Sequence, residues 1–430
     1  MKVSIMTLGC KVNQYESEAM GELFVKNGHE LVEDEVADIY LINTCTVTGL
    51  SDRKSRQFIS KAKSENKDSI IAVVGCYSQI SPDEIEKLGG IDIILGTTER
   101  YRIVELCENA IDDKKTINLV KELKPGKSFE PLNIKDNKDK TRSYIKIQEG
   151  CNQFCSYCII PYARGPITSR DKSDIIEEAT KLAENGYKEV VLTGIHVASY
   201  GLDKRVPNAL IDIIEAVSHI EGIQRIRMSS IEPRIIDRKL LDRLSKIEKF
   251  CDHFHLSLQS GSDTVLKRMN RKYNIDTYKE KIELIREYYP YAGITTDIIV
   301  GFPGESDEEF SDTLKAVNDI GFSRVHSFRY SPRRGTPAAK FKDQIKGDIK
   351  KERSKKLNEL TDKKADDFMK YMIGKEVSVL FENSENGLCS GYSTNYLKVM
   401  VEGKSNLEGS IKNVIILDKT NEFLIGKLIY

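Results

Sequence analysis

Hydrophobic residues in the first 111 positions form short continuous runs, and between these runs apolar residues recur at helical spacing. Continuous apolar runs are typical of strands buried on both faces, and the spaced residues predict helices that cover them. The alternation therefore predicts an α/β domain with a doubly wound parallel sheet. The predicted strands are residues 3–8, 38–44, 69–75 and 92–96, and the predicted helices are residues 14–27, 49–66 and 98–111.

The alternation returns in residues 143–330. Crossovers between parallel strands are right-handed, so repeated strand–helix units curl into a barrel. Six units, where a complete barrel has eight, predict a partial (β/α)6 barrel that is open enough for a macromolecular substrate. The predicted strands are residues 144–148, 189–195, 225–230, 253–259, 293–301 and 324–330, and the helices between them include residues 173–184, 208–219 and 308–320.

The last part of the chain changes character. Residues 331–370 are helix-like, and from residue 371 short β runs alternate with Gly and Asn turns, which predicts a small all-β barrel. Residues 121–142 are polar and lack periodicity, which is typical of a linker or a crossing segment. The predicted domains are an N-terminal domain (1–120), a linker (121–142), a partial barrel with a helical extension (143–370) and a C-terminal β-barrel (371–430).

The chain of 430 residues carries 66 basic and 66 acidic residues. A net charge of zero gives no overall attraction to nucleic acid, so any basic surface must be local. Residues 331–370 hold 13 Lys and Arg against 7 Asp and Glu, which indicates either a solvated helix face or contacts with RNA phosphates. No apolar run approaches the ~20 residues of a membrane span, so we expect a cytoplasmic protein without a membrane partner.

Cys151, Cys155 and Cys158 stand at C-x3-C-x2-C spacing directly after a predicted strand. Three thiolates from one short loop can hold three irons of a [4Fe–4S] cluster and leave the fourth iron without a protein ligand. An open iron can bind a small molecule, as an open zinc position does. A zinc knuckle or a chance cluster is the alternative, but zinc sites usually use four ligands in paired C-x2-C form, and no second pair lies nearby.

The chain has nine cysteines, and an odd number favours metal or catalytic use over a disulfide framework. Cys10, Cys45 and Cys76 each lie at the carboxyl end of a different predicted strand. Because the carboxyl ends of parallel strands share the edge where ligands bind, we expect the fold to bring them together. They are either buried small hydrophobic residues or ligands of a second iron–sulfur cluster, and their shared position favours the cluster. Cys107 lies within a predicted helix and is expected in the core.

The loop from Cys151 to Cys158 resembles that of the radical S-adenosylmethionine (SAM) enzymes, whose motif is C-x3-C-x2-C. The resemblance implies that the open iron chelates SAM, and that reduction cleaves SAM to a 5′-deoxyadenosyl radical. Barrel sites are built from polar residues at the strand ends, which are therefore candidates for SAM binding, although each could equally serve ordinary turn chemistry. The candidates are Thr193, Gly194, Ser229, Glu232, Gln259 and Ser260.

Two three-cysteine sets, a partial barrel and a small β-barrel occur in this order, and the chain resembles the radical SAM methylthiotransferases over nearly its full length. In that family the C-terminal barrel is called TRAM. Residues 7–17 and 152–165 resemble the branch that adds a methylthio group to carbon 2 of N6-threonylcarbamoyladenosine at position 37 of tRNA. Where this chain has Gly-Cys-Lys-Val-Asn, the isopentenyladenosine branch typically has Gly-Cys-Gln-Met-Asn, and the ribosomal-protein branch typically has Gly-Cys-Pro-Lys-Asn.

The resemblance implies two [4Fe–4S] clusters and SAM as cofactors. It implies the tRNA anticodon stem-loop as substrate, with an electron donor such as flavodoxin or ferredoxin and a sulfur donor as further partners. The alternatives are methylthiolation of isopentenyladenosine in tRNA or of a ribosomal-protein aspartate, and a non-catalytic RNA-binding iron–sulfur protein.

Several other residues are candidates for substrate contact. His196 is expected to be structural or to face the substrate rather than to bind metal, and Arg164 could face a carboxylate or a phosphate. Residues 331–339 could contact tRNA or the threonylcarbamoyl group. The C-terminal barrel is not basic, so RNA binding there would depend on shape and on aromatic residues such as Tyr392 and Tyr396.

Overall fold

The computed structural model describes residues 1–111, 115–134, 141–403 and 406–429. The N-terminal elements are β1 (Lys2–Thr7), α1 (Lys11–Lys26), β2 (Glu30–Leu31), β3 (Ile39–Thr44), α2 (Gly49–Glu65), β4 (Ile70–Gly75), α3 (Cys76–Ile80), α4 (Pro82–Glu86), β5 (Ile93–Ile94), α5 (Ile103–Asn109) and β6 (Ile117–Asn118). The strands form one parallel sheet in the order β2-β1-β3-β4-β5-β6. Helices α1 and α5 cover one face, and α2 and α4 cover the other, so the doubly wound sheet is confirmed.

The central strands follow from the sequence most directly. Strands β3 and β4 are buried along their whole length, as their continuous apolar runs predict. The edge strands β2 and β6 have only two residues each, which is too short for a periodic pattern, and the sequence does not predict them.

Residues 119–134 connect the sheet to the barrel without a helix or strand. The side chains of Leu132 and Ile134 are buried in the hydrophobic core that α1 shares with the barrel strands. Glu130 accepts a hydrogen bond from the backbone N–H of Arg100 at 2.5 Å. This part of the predicted linker is thus packed between the two domains, and residues 135–140 lie outside the described residues.

The middle elements are β7 (Arg142–Glu149), α6 (Ile160–Arg164), β8 (Thr168–Ser169), α7 (Lys172–Glu184), β9 (Glu189–Gly194), α8 (Ala209–Ser218), β10 (Arg225–Met228), α9 (Arg238–Leu244), β11 (His253–His255), α10 (Asp263–Arg268), α11 (Ile275–Tyr288), β12 (Gly293–Val300), α12 (Asp307–Ile320) and β13 (Arg324–Arg329). Strands β7, β9 and β10 are parallel neighbours, as are β11, β12 and β13. Parallel bridges, including one between Ile231 and Leu256, join the two groups. The six main strands therefore follow one another around a partial barrel, as predicted.

The C-terminal elements are α13 (Gly347–Tyr371), β14 (Glu376–Glu385), β15 (Leu388–Ser393), β16 (Lys398–Glu402), β17 (Ile411–Lys419) and β18 (Leu424–Leu428). The five strands form a closed barrel in the order β14-β15-β16-β18-β17. Its interior is filled by apolar side chains such as Phe381, Val399 and Ile416. This barrel is consistent with the TRAM domain that the family resemblance implies.

The C-terminal barrel packs against the starts of the partial-barrel strands. Arg225 donates from Nη1 to the carbonyl oxygen of Tyr392 at 2.8 Å, and Arg227 donates from Nη1 to that of Thr394 at 2.8 Å. The rings of Tyr392 and Tyr396 stack 5.0 Å apart, and the Arg227 guanidinium lies 4.6 Å from the centre of the Tyr396 ring. Both tyrosines, which the sequence suggests for RNA binding, are therefore engaged within the chain. In the part of the chain that the structure describes, we find no helix with the length and apolar character of a membrane span.

Candidate iron–sulfur centres

The first cysteine loop begins where β7 ends at Glu149. Gly150 adopts a φ of +73°, and a Cβ atom there would lie 2.0 Å from the carbonyl oxygen of Pro166. The next residue, Cys151, donates its backbone N–H to the carbonyl oxygen of Gly165 at 3.0 Å. Only glycine fits this turn, which folds the cysteine loop back against the end of α6.

The three loop cysteines lie close together, with donors aimed at two of the sulfurs. Burial raises the pKa of the Cys151 thiol to about 11 and that of Cys158 to about 12. Arg271 donates from Nη1 to the sulfur of Cys155 at 3.2 Å, and the backbone N–H of Gln153 donates to that of Cys151 at 3.5 Å. Because metal binding displaces thiol protons, such donors favour the metal-bound thiolates. No local sequence pattern marks Arg271, and the sequence does not predict its role.

The second cysteine set lies at the carboxyl edge of the N-terminal sheet. Cys10, Cys45 and Cys76 follow β1, β3 and β4, which are neighbours in the sheet. The side chain of Asn13 connects these strand ends, because its Nδ2 donates to the carbonyl oxygen of Thr44 at 2.9 Å and its Oδ1 lies 3.7 Å from the sulfur of Cys10. The parallel topology thus brings three cysteines that are distant in sequence to one edge.

The thiols of Cys10, Cys45 and Cys76 interact electrostatically. Burial raises the pKa of Cys76 to about 12. The positive charge of Arg164 opposes this increase, whereas the charges of Cys45 and Cys10 add to it. Burial also raises the pKa of Cys45, and Cys10 again contributes. Cys45 and Cys76 are buried, whereas Cys10 is exposed.

Neither cysteine set has the geometry of a mononuclear metal site. Among the described residues, no three Cys, His, Asp or Glu side chains converge closely enough to ligate a single metal ion. A [4Fe–4S] cube makes a different demand, because each thiolate binds a different iron atom and the sulfurs stand apart. Each set supplies three thiols, the number of protein donors that a cube with one open iron requires.

Arg164 lies between Cys76 of the second set and Glu149, where the first cysteine loop begins. It lies six residues after Cys158, it is fully buried, and its Nε donates to the sulfur of Cys76 at 3.1 Å. Its Nη1 donates to Glu16 at 2.6 Å and to Glu149 at 3.2 Å. The sequence allows Arg164 to face a carboxylate or a phosphate, and in the structure it faces two carboxylates. It also contacts a thiol, which the sequence does not indicate.

A buried ionic network surrounds this arginine. Lys146 lies between Glu16, at 2.6 Å, and Glu149, and Arg100 lies 2.5 Å from both Glu16 and Glu130. Burial by itself would raise the pKa of Glu149, but the positive charges of Lys146 and Arg164 lower that pKa to about 2. With Arg164, three cations face three carboxylates at the junction of the sheet and the barrel.

Glu232, one of the predicted SAM-binding residues, contacts the first cysteine loop directly. Its Oε2 accepts a hydrogen bond from Nε2 of Gln153 at 3.3 Å and lies 3.5 Å from Nε2 of His196. Burial acts to raise the pKa of Glu232, but hydrogen bonds from His196 and Arg234 lower it to about 2. A carboxylate that stays ionised therefore stands at the rim beside the loop.

Thr193 and Gly194 end β9 beside β7. Gly194 pairs with Gln148, and a Cβ atom on Gly194 would lie 2.9 Å from the Gln148 carbonyl oxygen. The side chain of Gln148 accepts from the backbone N–H of His196 at 2.7 Å and donates to the carbonyl oxygen of Gly150 at 2.7 Å. These contacts connect the end of β9 to the first cysteine loop.

The other three candidates differ in position. The hydroxyl of Ser229 is buried and has no hydrogen-bond partner among the described residues, so it can bind a ligand. Gln259 adopts a φ of +73°, a strained conformation for a residue with a side chain. Ser260 is turned to the outer layer, where its hydroxyl accepts from the Ser262 N–H at 3.3 Å and lies 3.4 Å from Oγ1 of Thr313.

The segment after β13 is bound to the N-terminal domain beside Cys45. Arg333 donates from Nη2 to Oγ1 of Thr46 at 2.7 Å and to Asp52 at 2.5 Å, and the backbone N–H of Gly49 donates to Oγ of Ser331 at 3.1 Å. The sequence suggests residues 331–339 as a substrate contact. In the structure, the Arg333 side chain in this segment binds residues of the N-terminal domain instead.

Lys11 is the third residue of the Gly-Cys-Lys-Val-Asn motif. It follows Cys10 at the start of α1 and is partly buried. Burial, together with the positive charges of Arg227 and Arg142, lowers its pKa to about 8.

Comparison with known proteins agrees with this arrangement. Residues 145–317 match the Radical SAM superfamily, and residues 2–96 match Uncharacterized protein family UPF0004. The threonylcarbamoyladenosine tRNA methylthiotransferase MtaB of Bacillus subtilis is 41% identical over 96% of this chain and 93% of its own length. This chain belongs to the radical SAM methylthiotransferase family. Membership of this methylthiotransferase family implies a [4Fe–4S] cluster and SAM, and the thiols and donors of the Cys151 loop fit such a cluster.

Other relatives of this methylthiotransferase family carry two different substrate names. MtaB of Aquifex aeolicus is 39% identical over 97% of this chain and 100% of its own length. A tRNA-2-methylthio-N(6)-dimethylallyladenosine synthase of Pelotomaculum thermopropionicum is 35% identical over 100% of this chain and 98% of its own length. A solved structure with the same fold is that of the radical SAM methyltransferase TsrM from Kitasatospora setae, with cobalamin and a [4Fe-4S] cluster bound. It has a TM-score of 0.58 and 14% sequence identity, and the match covers 79% of this chain and 77% of that one.

Proposed function

We propose that this chain adds a methylthio group to carbon 2 of N6-threonylcarbamoyladenosine at position 37 of tRNA. The observation that carries this function is the contact of Arg164 with Cys76, because the same side chain contacts Glu149 at the start of the first cysteine loop. The names of the relatives at 39% and 41% identity favour this nucleoside over isopentenyladenosine.

The reaction needs both cysteine sets. Carbon 2 of adenine carries an unactivated C–H bond, which no general base can deprotonate. When bound, a SAM-chelating cluster would supply a carbon radical that can abstract this hydrogen, and a second cluster would hold the sulfide or methylsulfide that meets the substrate radical. A second SAM molecule would donate the methyl group. The first cluster would be held by Cys151, Cys155 and Cys158, and the second by Cys10, Cys45 and Cys76.

The chain's own residues would bind and orient these groups. We assign SAM binding to the rim residues Thr193, Gly194, Ser229, Glu232 and Gln259. Ser260 stabilises the turn that carries Gln259. The ionised carboxylate of Glu232 suits a positively charged ligand. The free hydroxyl of Ser229 offers a donor and an acceptor.

The cysteine loop also offers a surface for an unstacked base. Phe154 and Tyr162 are 51% and 46% exposed, and their rings meet edge to face 6.0 Å apart. Exposed aromatic rings bind the splayed bases of single-stranded RNA, which suits an anticodon stem-loop. The reaction further requires an electron donor such as flavodoxin or ferredoxin and a sulfur donor, and we place the enzyme in the cytoplasm.

The function is tested by nucleoside analysis of total tRNA from a strain that lacks the gene. We expect 2-methylthio-N6-threonylcarbamoyladenosine to disappear and its precursor without the methylthio group to accumulate. The wild-type gene should restore the product, and Cys76→Ala should not. If all 2-methylthio nucleosides are unchanged, tRNA is not the substrate, and a ribosomal-protein aspartate becomes the candidate.

Methylthiolation of isopentenyladenosine is the second candidate, because relatives with that name match the whole chain at 35% identity. The same nucleoside analysis separates the two, since loss of the 2-methylthio-isopentenyl product alone would favour this candidate. A non-catalytic iron–sulfur protein is tested by anaerobic reduction with SAM, in which no 5′-deoxyadenosine would form.

A further inference from the structure

The outward face of helix α2 carries a groove whose lining side chains are all cationic or uncharged and polar. They are two arginines, one lysine, one glutamine and two serines, namely Arg53, Arg56, Gln57, Ser60, Lys61 and Ser64. Guanidinium, ammonium, amide and hydroxyl groups all donate hydrogen bonds, and none of these six side chains is a carboxylate. The groove therefore suits an anionic ligand with several acceptor oxygens.

The acidic residues of α2 do not neutralise this groove, because each of them is already paired. Asp52 accepts a hydrogen bond from Nη2 of Arg333 at 2.5 Å, and Glu65 lies 3.4 Å from Nζ of Lys61. Three cations of the helix form no ion pair with any residue that the structure describes, namely Arg53, Lys54 and Arg56. A surplus of positive charge thus remains on this face.

Arg56 is held in position by Tyr77, the residue that follows Cys76. Its Nη1 donates to the Tyr77 hydroxyl at 2.9 Å, and its guanidinium carbon lies 5.9 Å from the centre of the Tyr77 ring. Tyr77 is buried, and its hydroxyl donates in turn to Glu84 at 3.1 Å. Packing on a buried ring therefore fixes the guanidinium without an ion pair, and its remaining N–H groups are available to a phosphate.

The groove begins beside the second cysteine set. Helix α2 starts at Gly49, four residues after Cys45, and Arg56 contacts the neighbour of Cys76. With a rise of 1.5 Å per residue, Arg53 and Lys61 lie roughly 12 Å apart along the helix axis. Phosphates of one nucleic-acid strand follow one another at about 3.4 Å along a duplex axis, so the groove matches a run of about three or four of them.

Helix α13, which belongs to the basic segment at residues 331–370, differs from α2. Its exposed cations are paired with carboxylates one turn away, with Lys356 at 2.8 Å from Glu352 and Lys370 at 2.7 Å from Asp366. Such pairs are typical of a solvated helix face, one of the two alternatives that the sequence leaves open for this segment. The unpaired cations lie on α2 instead.

The segment after β13 adds one more cation to the surface of α2. Ser331 and Arg333 bind the first turn of the helix, as described above, and the next residue, Arg334, is exposed. The positive surface therefore continues from α2 to the segment that follows the last strand of the partial barrel.

We propose that the α2 groove binds backbone phosphates of the anticodon stem and so positions the tRNA beside the second cysteine set. This assignment rests on the tRNA substrate of the function proposed above. Phosphate contacts fix the register of an RNA without reading its sequence. They also explain how a chain with a net charge of zero attracts a polyanion, because the charge that matters is local.

The test measures binding of the reconstituted full chain to an anticodon stem-loop with threonylcarbamoyladenosine at position 37, at several salt concentrations. A double variant, Arg53→Gln with Arg56→Gln, should bind roughly tenfold more weakly at about 0.1 M salt. Its plot of log K against log salt concentration should be shallower by about 2, since two phosphate contacts are lost. Lys355→Gln with Lys356→Gln, which removes two exposed but paired cations of α13, is the matched control and should change neither value.

Two further measurements cover the case in which Arg56→Gln disturbs Tyr77 and, through it, Cys76. Arg53→Gln alone changes an exposed side chain and should make the salt dependence shallower by about 1. Stem-loops with neutral methylphosphonates on one strand of the stem at a time provide the substrate-side control. The strand that faces the groove should weaken binding to the wild type more than binding to the double variant.

The outcomes separate the groove from its alternatives and from the proposed function. Equal salt slopes for the wild type and the double variant would overturn the assignment to phosphates. If the double variant binds RNA normally but is reduced more slowly by flavodoxin, an acidic electron donor occupies the groove, and the assignment is wrong. A wild type that neither binds nor methylthiolates the stem-loop removes the proposed function. A wild type that modifies it, beside a double variant of unchanged affinity, removes only the groove.

Discussion

The guanidinium of Arg164 donates from Nε to the sulfur of Cys76 at 3.1 Å. Arg164 comes from the segment that follows the first cysteine loop, whereas Cys76 belongs to the N-terminal sheet. The same guanidinium contacts Glu16 of the sheet domain and Glu149 of the barrel. One buried cation therefore contributes both to the environment of the second thiol set and to the joint between the two domains.

Replacing Arg164 by Met should destabilise the chain by about 3–5 kcal/mol, because two buried carboxylates lose a partner. Chemical denaturation of the metal-free protein measures this loss. Arg334→Met, at an exposed arginine of the same chain, is the control and should change the free energy of unfolding by less than about 0.5 kcal/mol. Equal stability of the two variants would contradict a structural role for the network.

Iron analysis can count the clusters. Anaerobically reconstituted wild type should hold about eight irons, and Cys10→Ala or Cys151→Ala should each hold about four. Cys107→Ala removes a thiol that lies in the hydrophobic core, away from both sets, and should keep the full content. A wild-type content of about four irons, lost entirely in Cys151→Ala and retained in Cys10→Ala, would leave the second set without a cluster.

Gly150→Ala should abolish the first cluster while the second remains. The added methyl group would meet the Pro166 carbonyl at 2.0 Å, and φ is +73°. Gly186 has a φ of +90° with no atom within 4 Å of the corresponding position, so Gly186→Ala carries only the backbone cost of about 1–2 kcal/mol. Iron content and SAM cleavage should fall in Gly150→Ala and not in Gly186→Ala. An equal fall in the two variants would indicate that backbone strain, rather than the collision with the Pro166 carbonyl, causes the loss.

Arg271→Met should lower the reduction potential of the first cluster, since a cation that donates to Cys155 stabilises added negative charge. The shift should be on the order of 50 mV, measured by redox titration in a Cys76→Ala background so that only one cluster responds. Arg271→Lys should recover part of the shift, and Arg53→Met, at an exposed site on α2, should produce none. An unchanged potential in Arg271→Met would show that the contact does not influence the cluster.

A strand could be predicted from the sequence where it contains a long continuous run of apolar residues. The runs of β3, β4 and β12 are long and apolar, and the structure places them close to the predicted bounds. Strand β15, Leu388–Ser393, alternates buried and partly exposed positions but contains Ser and Gly, and the sequence does not predict it. Its position depends on pairing with β14 and β16 rather than on its own composition.

The candidate site follows the same division. Parallel topology alone predicts that Cys10, Cys45 and Cys76 approach one edge, because strand ends are fixed by the sheet. The partners of Arg164 and Lys146 could not be predicted, since charged residues in a sequence usually indicate solvent exposure. Their burial depends on pairing between segments more than 100 positions apart, for which a single sequence contains no signal.

The ionic joint also limits how this enzyme can be divided. A radical domain expressed without residues 1–134 would retain Lys146 and Arg164 but lose Glu16, the carboxylate that contacts both of these cations. Truncation at this joint therefore strips a shared counter-ion from both cations, so the cysteine loop of the isolated domain would not keep the surroundings that it has in the full chain.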